Sequence, residues 1–192
     1  MPGAHAEGDG RGLVGSPSVP PFARARDVLL ADGGSVHVRP IRESDGPALA
    51  ALHGRLSDES VYLRYFSPHA HLSAREVVRA TQVDHRDREA FVVLDRDALI
   101  GIGSYERSAG SDAAEIAFEV EDEQQGRGIG TLLFEMLAAA ARERGIRRFV
   151  AKVLPQNQRM LQLFREVGLA ERTRFEGGVV DVDLELVPPP VA

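Results

Sequence analysis

Short apolar runs separated by turn residues recur along this chain, and their spacing alternates between the two-residue period of strands and the 3.6-residue period of helices. Val28-Leu29-Leu30 and Val36-His37-Val38 flank Asp32-Gly33-Gly34 and predict a hairpin. Ser44 or Asp45 is placed to cap a helix running to about Leu56, with Leu49, Leu52 and Leu56 on one face. A second helical stretch covers Glu59 to Phe66, and a third opens at Ser73, where Glu76 completes a capping box. Ala90 to Leu94 and Leu99 to Gly103, split by Asp95-Arg96-Asp97, read as paired antiparallel strands. Ala114 to Val120 is the next strand, followed by a glycine-rich turn and a helix from about Gly130 to Arg144, stopped by Gly145. A strand over Arg148 to Leu154, a helix over Asn157 to Val167 ended by Gly168, and a hairpin of Leu169–Phe175 with Val179–Leu186 complete the pattern. The expected fold class is therefore mixed α/β, a mostly antiparallel sheet of about six or seven strands flanked by helices.

The ends behave differently. Residues 1–26 are rich in Gly, Pro, Ala and Ser without periodicity and predict a flexible tail. Pro188-Pro189-Pro190 extends neither a helix nor a central strand, so one domain is expected over 27–187, with 188–192 as a second tail.

Composition narrows the chemistry. The 192 residues suit one domain with a full core. The net charge of -6 argues against a general affinity for nucleic acid, since no cation surplus displaces phosphate counterions. Without cysteine there is no disulfide, thiolate metal site or cysteine-linked acyl intermediate. Apolar stretches fall far short of a membrane span and the first residues lack a secretory signal, so a cytoplasmic location off the membrane is expected. Lys152 is the one lysine among 23 basic residues.

The strongest local signal is Gln124-Gln125-Gly126-Arg127-Gly128-Ile129-Gly130-Thr131, between a strand and a helix. Glycines let the backbone take positive φ and approach a ligand closely. The helix start presents unpaired amides and the positive dipole end, which together favour an anion such as phosphate. A Walker loop would need Gly-Lys-Ser/Thr, and a dinucleotide fingerprint a glycine where Thr131 stands.

The spacing Gln125-x-x-Gly128-x-Gly130 resembles the pyrophosphate loop of the GCN5-related N-acetyltransferase (GNAT) superfamily. The likeness extends over roughly 36–186, through Asn157 at a helix start and Gly168-Leu169 at its end. Ala114-Glu115-Ile116-Ala117-Phe118 resembles the strand that carries the catalytic glutamate of protein lysine acetyltransferases. The stretch from Arg55 to Phe66 is similar to the start of the GNAT domain in bacterial Pat-type enzymes, which acetylate a lysine of acyl-CoA synthetases. The resemblance implies acetyl-CoA as cosubstrate and no metal. It implies that Val120 offers backbone hydrogen bonds to the pantetheine arm, that Gln125, Gly126, Arg127, Gly128, Ile129, Gly130 and Thr131 surround the pyrophosphate, and that Asn157 and Met160 touch the distal arm. Met160 reads equally as helix core.

A lysine amine with pKa near 10.4 costs roughly 4–5 kcal/mol to deprotonate at pH 7. A carboxylate can take that proton as the amine attacks the thioester, while a strand amide receives the oxyanion. Alternation puts Glu115, Ala117 and Glu119 on one face of their strand. Glu115 is the expected general base and Glu119 the reserve, with Glu121, Asp122 and Glu123 read as loop solvation. The family's tyrosine near the end of the helix after Asn157 is here Phe164, which cannot protonate a departing thiolate. His69 and His71 read as surface histidines rather than metal ligands. Tyr62, Tyr65 and Phe66 suit either an acceptor groove or the core. Direct acetyl transfer to a protein lysine, with an acyl-CoA synthetase as partner, is the expected function. A small amine acceptor and a non-catalytic acyl-CoA sensor are the alternatives.

Overall fold

The computed structural model describes residues 24–167 and 170–186. Eight strands form one sheet: β1 (Arg26–Leu29), β2 (Ser35–Pro40), β3 (Arg88–Asp95), β4 (Ala98–Arg107), β5 (Ala113–Val120), β6 (Arg148–Val153), β7 (Ala170–Glu176) and β8 (Val179–Glu185). Their order is β1-β2-β3-β4-β5-β6-β8-β7, and every neighbouring pair is antiparallel except β5 with β6. The sheet exceeds the expected six or seven strands because the opening hairpin and the closing hairpin both join it.

Five helices cover the sheet: α1 (Gly46–His53), α2 (Asp58–Tyr65), α3 (Ala74–Thr81), α4 (Ile129–Glu143) and α5 (Gln158–Glu166). Alternation along β3 explains the layering. Phe91 and Val93 point into a core shared with Leu133, Leu137 and Phe164, whereas Ala90 and Val92 pack with Leu49 and Leu52 of α1. With both faces covered, β3 reads as a continuous apolar run.

α1 departs from expectation at both ends. Asp45 occupies the N-cap position but makes no cap bond. Its carboxylate instead accepts from Arg39 at 2.7 Å through both oxygens and from the Arg42 amide at 2.7 Å. A buried guanidinium requires a carboxylate, and that demand outweighs the cap. The helix ends at Gly54, so Leu56 lies beyond it. At α3 the predicted Ser73–Glu76 capping box forms in both directions. The helix stop at Gly168, the start of the closing hairpin at Leu169 and the boundary at Val187 fall outside the described residues.

Candidate active site

β5 and β6 pair only over Ala113–Glu115 with Arg148–Val150, then part. Ile116–Val120 and Ala151–Val153 therefore face a gap, which widens into a groove of about 1220 Å³ between α2, the glycine-rich loop and α5. A groove of this size suits an extended cofactor-sized ligand.

The loop forms one end. Gly126 and Gly128 have φ of 77° and 86°, and a Cβ on either would meet no atom within 4 Å. Their cost to other residues is backbone conformation, and the space over them is open for a ligand. Gly128 is the N-cap of α4 and makes no side-chain cap bond. The first amides of α4, from Ile129 through Thr131, accordingly gather at the groove with the positive end of a 15-residue helix behind them.

Two loop side chains act as fasteners. Gln125 donates through Nε2 to the Val120 carbonyl at 3.0 Å and to Ser60 Oγ at 3.4 Å, and its Oε1 accepts from Arg159. Val120, expected to offer backbone hydrogen bonds to the pantetheine, thus has its carbonyl already bonded to Gln125. Arg127 donates to Asp32 in the β1–β2 turn and to Gln124. The hydrogen bond and charge of Arg127, with help from the Gly34 amide, hold the Asp32 carboxyl below its ordinary pKa.

At the other end, Asn157 caps α5 by accepting from the Met160 amide at 3.1 Å. Met160 packs against the core, as its helix-core reading expects, and also lines the groove. Phe164 also reaches the groove wall, yet is 1% exposed and sits edge-on to Phe134.

Both glutamates of β5 reach the groove, in contrasting settings. Glu115 is exposed, and among the described residues it makes no hydrogen bond or ion pair. Its charge reaches Lys152: the Asp181 hydrogen bond, the Asp181 charge and then Glu115 hold that ammonium above its ordinary pKa. Glu119 has a side chain only 8% exposed and accepts from the Tyr65 hydroxyl at 2.8 Å. Burial, then the charge and hydrogen bond of Glu119, push the Tyr65 phenol above its ordinary pKa.

Glu121 and Asp122 are structural partners rather than loop solvation, while Glu123 is exposed as expected. Asp122 accepts from the Ser57 amide at 2.9 Å, Ser57 Oγ at 2.7 Å and Ser60 Oγ at 2.8 Å. Arg55 donates to both oxygens of Glu121 and to the Leu99 carbonyl. These contacts dock the Arg55–Phe66 stretch on the start of the glycine-rich loop. Ser57 and Ser60 lie 65 and 62 positions before Asp122, and no local period signals their meeting. His69 is likewise no simple surface residue: it stacks on Tyr65 at 4.3 Å, and its Nε2 is 3.0 Å from Glu76. Tyr65 and Phe66 line the groove and Tyr62 is exposed beside them. Among the described residues no group of three or more His, Asp or Glu is placed to hold a metal ion, and no helix is long and apolar enough to cross a membrane.

Known proteins share this fold. The chain is 30% identical over 169 residues to the acetyltransferase Pat of Mycolicibacterium smegmatis, covering 84% of this chain and 49% of that protein. It therefore spans about half the length of that relative. An acetyltransferase of Pseudomonas aeruginosa is 27% identical over 143 residues, covering 72% of this chain and 77% of that one. The solved GNAT domain of S. lividans PAT superposes with a TM-score of 0.81 at 40% identity, covering 87% of this chain and 99% of that one. The model of the acetyltransferase (GNAT) family matches residues 57–169, from the cap of α2 through the glycine loop to the end of α5. This chain belongs to the acetyltransferase (GNAT) family.

Proposed function

We propose that the protein transfers the acetyl group of acetyl-CoA to the side-chain amine of a protein lysine, within one folded unit over 27–187. The observation that carries this reading is the groove itself: a helix N-terminus with open glycines at one end, parted strands in the middle, and an unpartnered carboxylate, Glu115, on its wall.

In this reading the diphosphate rests on the amides from Gln125 to Thr131, where dipole and N–H groups offset its charge. The pantetheine lies along Val120 as an added strand would, displacing the Gln125 side chain from the Val120 carbonyl. Asn157 and Met160 meet its distal arm. Glu115 takes a proton from the amine as it attacks, and a β5 amide in the gap receives the oxyanion. Phe164 has no proton to give, so the thiolate is protonated from water. Likeness to Pat-type relatives and the docked Arg55–Phe66 stretch support a protein acceptor, with an acyl-CoA synthetase as the first choice. The buried Phe164 is the observation that favours an acyl-CoA sensor instead.

Incubation with acetyl-CoA and an acyl-CoA synthetase tests the reading. One lysine of the synthetase should become acetylated; absence of labelling across a broad protein panel would sink the protein-acceptor assignment.

A further inference from the structure

His53 and Glu119 face each other in the interior across a gap that lacks a hydrogen-bond donor. His53 is 2% exposed on α1, with Nε2 2.6 Å from the carbonyl oxygen of His69. A carbonyl only accepts, so Nε2 carries the hydrogen and Nδ1 is the ring position left open to a proton. Nδ1 lies 3.6 Å from Oε2 of Glu119, and both atoms are buried without a hydrogen-bond partner. The other carboxylate oxygen takes the Tyr65 hydroxyl, with Arg64 Nε 3.8 Å away. Two bare acceptors enclosed together are unfavourable unless a proton comes to lie between them.

The position of the pair gives that proton a source. Glu119, Tyr65, Arg64 and Glu115 line the large groove and also a second cavity of about 330 Å³ that runs toward Glu76, Glu89 and Glu106. The two spaces share this wall, where a donor in one would meet an acceptor in the other. An amine that arrives as an ammonium must lose two protons to become an amide, and Glu115 accounts for one.

We propose that Glu119 is a second proton acceptor for the amine, with His53 as the positioning residue that holds the proton behind it. The ammonium proton passes to Glu119 and on to Nδ1 of His53. The freed lone pair forms the C–N bond to the acetyl carbon, and the C–S bond breaks. Glu115 takes a second N–H proton, leaving one on the amide nitrogen, and returns it through water to the thiolate, while the proton on His53 leaves to solvent. An ammonium and an acetyl thioester thus yield an amide, a thiol and one proton. The inference rests on the acetyl-transfer reading above.

Two conservative variants separate this role from packing. Glu119→Gln still accepts from Tyr65, and His53→Gln still donates to the His69 carbonyl but has no counterpart of Nδ1. Wild-type acetyl-CoA affinity and transfer to a lysine peptide are measured first; if either is absent, the acetyl-transfer reading fails and takes this inference with it. With both present, kcat near pH 7 should fall about 100-fold in Glu119→Gln and about tenfold in His53→Gln, with acetyl-CoA affinity unchanged. Activity should recover as pH rises and the free amine forms in solution. Variants that bind acetyl-CoA but keep wild-type kcat and pH profile overturn the proposal. Should either variant fail to fold, nitrogen NMR of wild-type histidines decides. Nδ1 of His53 should pass between bare and protonated over the pH range of activity change, and an Nδ1 whose state stays fixed throughout that range overturns the role.

Discussion

Arg127, inside the glycine-rich loop, is ion-paired to Asp32, 95 positions earlier in the β1–β2 turn. The pair fastens the first hairpin to the glycine-rich loop and offsets the one cation within that loop. Asp32→Asn removes the offset while leaving the loop backbone intact. Acetyl-CoA should then bind several-fold more tightly at low salt, with the gain fading near 0.5 M salt as screening takes over. Titration calorimetry at two salt concentrations checks this.

Gly128→Ala should cost the fold only about 1 kcal/mol, because φ of 86° is strained for alanine while the added methyl meets nothing. Its effect on binding should be larger, since that methyl enters the space over the amides. A melting temperature within a few degrees of wild type, with at least about tenfold weaker acetyl-CoA binding, is the expected pairing.

Glu115→Gln should leave stability unchanged, because the carboxylate is exposed and makes no hydrogen bond or ion pair among the described residues. kcat should drop by about 100-fold or more while acetyl-CoA affinity holds. Steady-state kinetics beside calorimetry distinguishes lost chemistry from lost binding.

The Arg39–Asp45 pair sets a pH dependence. Burial alone would raise the Asp45 carboxyl, but the Arg39 hydrogen bond and the Arg42 amide prevail and hold it below its ordinary value. A depressed folded pKa contributes stability that is fully present above the unfolded value near 4 and is lost as pH falls through the folded value. Asp45→Asn should therefore cost about 3 kcal/mol at pH 7 by leaving Arg39 without its charge partner. The gap to wild type should close below about pH 4, as thermal melts across pH would show.

Lys152 lines the groove, and its ammonium is held 2.5 Å from Asp181. Asp181→Asn releases it beside Glu115. Self-acetylation of Lys152, absent in wild type, should then appear by mass spectrometry on incubation with acetyl-CoA, because the amine gives up its proton more readily.

Local signals made much of this molecule legible. The Ser73–Glu76 capping box, the αL glycine at 145 and the positive-φ glycines 126 and 128 ahead of α4 each depend on residues a few positions apart, and each formed as expected. Alternation also put Glu115 and Glu119 on one face of β5, as the burial of Ala114, Ile116 and Phe118 in the core on the other bears out. Where the reading failed, a distant partner intervened. Asp45 left its cap for Arg39, and Asp122 left solvent for Ser57 and Ser60.

The chain by itself determined its elements, the capping box at Ser73 and the glycine-rich turn ahead of α4, because period, φ preference and short-range hydrogen bonds are properties of neighbouring residues. Only tertiary structure decided which charges are free. Glu115 and Glu119 are the same residue type four positions apart, yet one is exposed without a partner while the other is enclosed by Tyr65, His53 and Arg64 from two helices. Burial and pairing set the chemistry of a carboxylate, and both depend on what the rest of the chain brings to it.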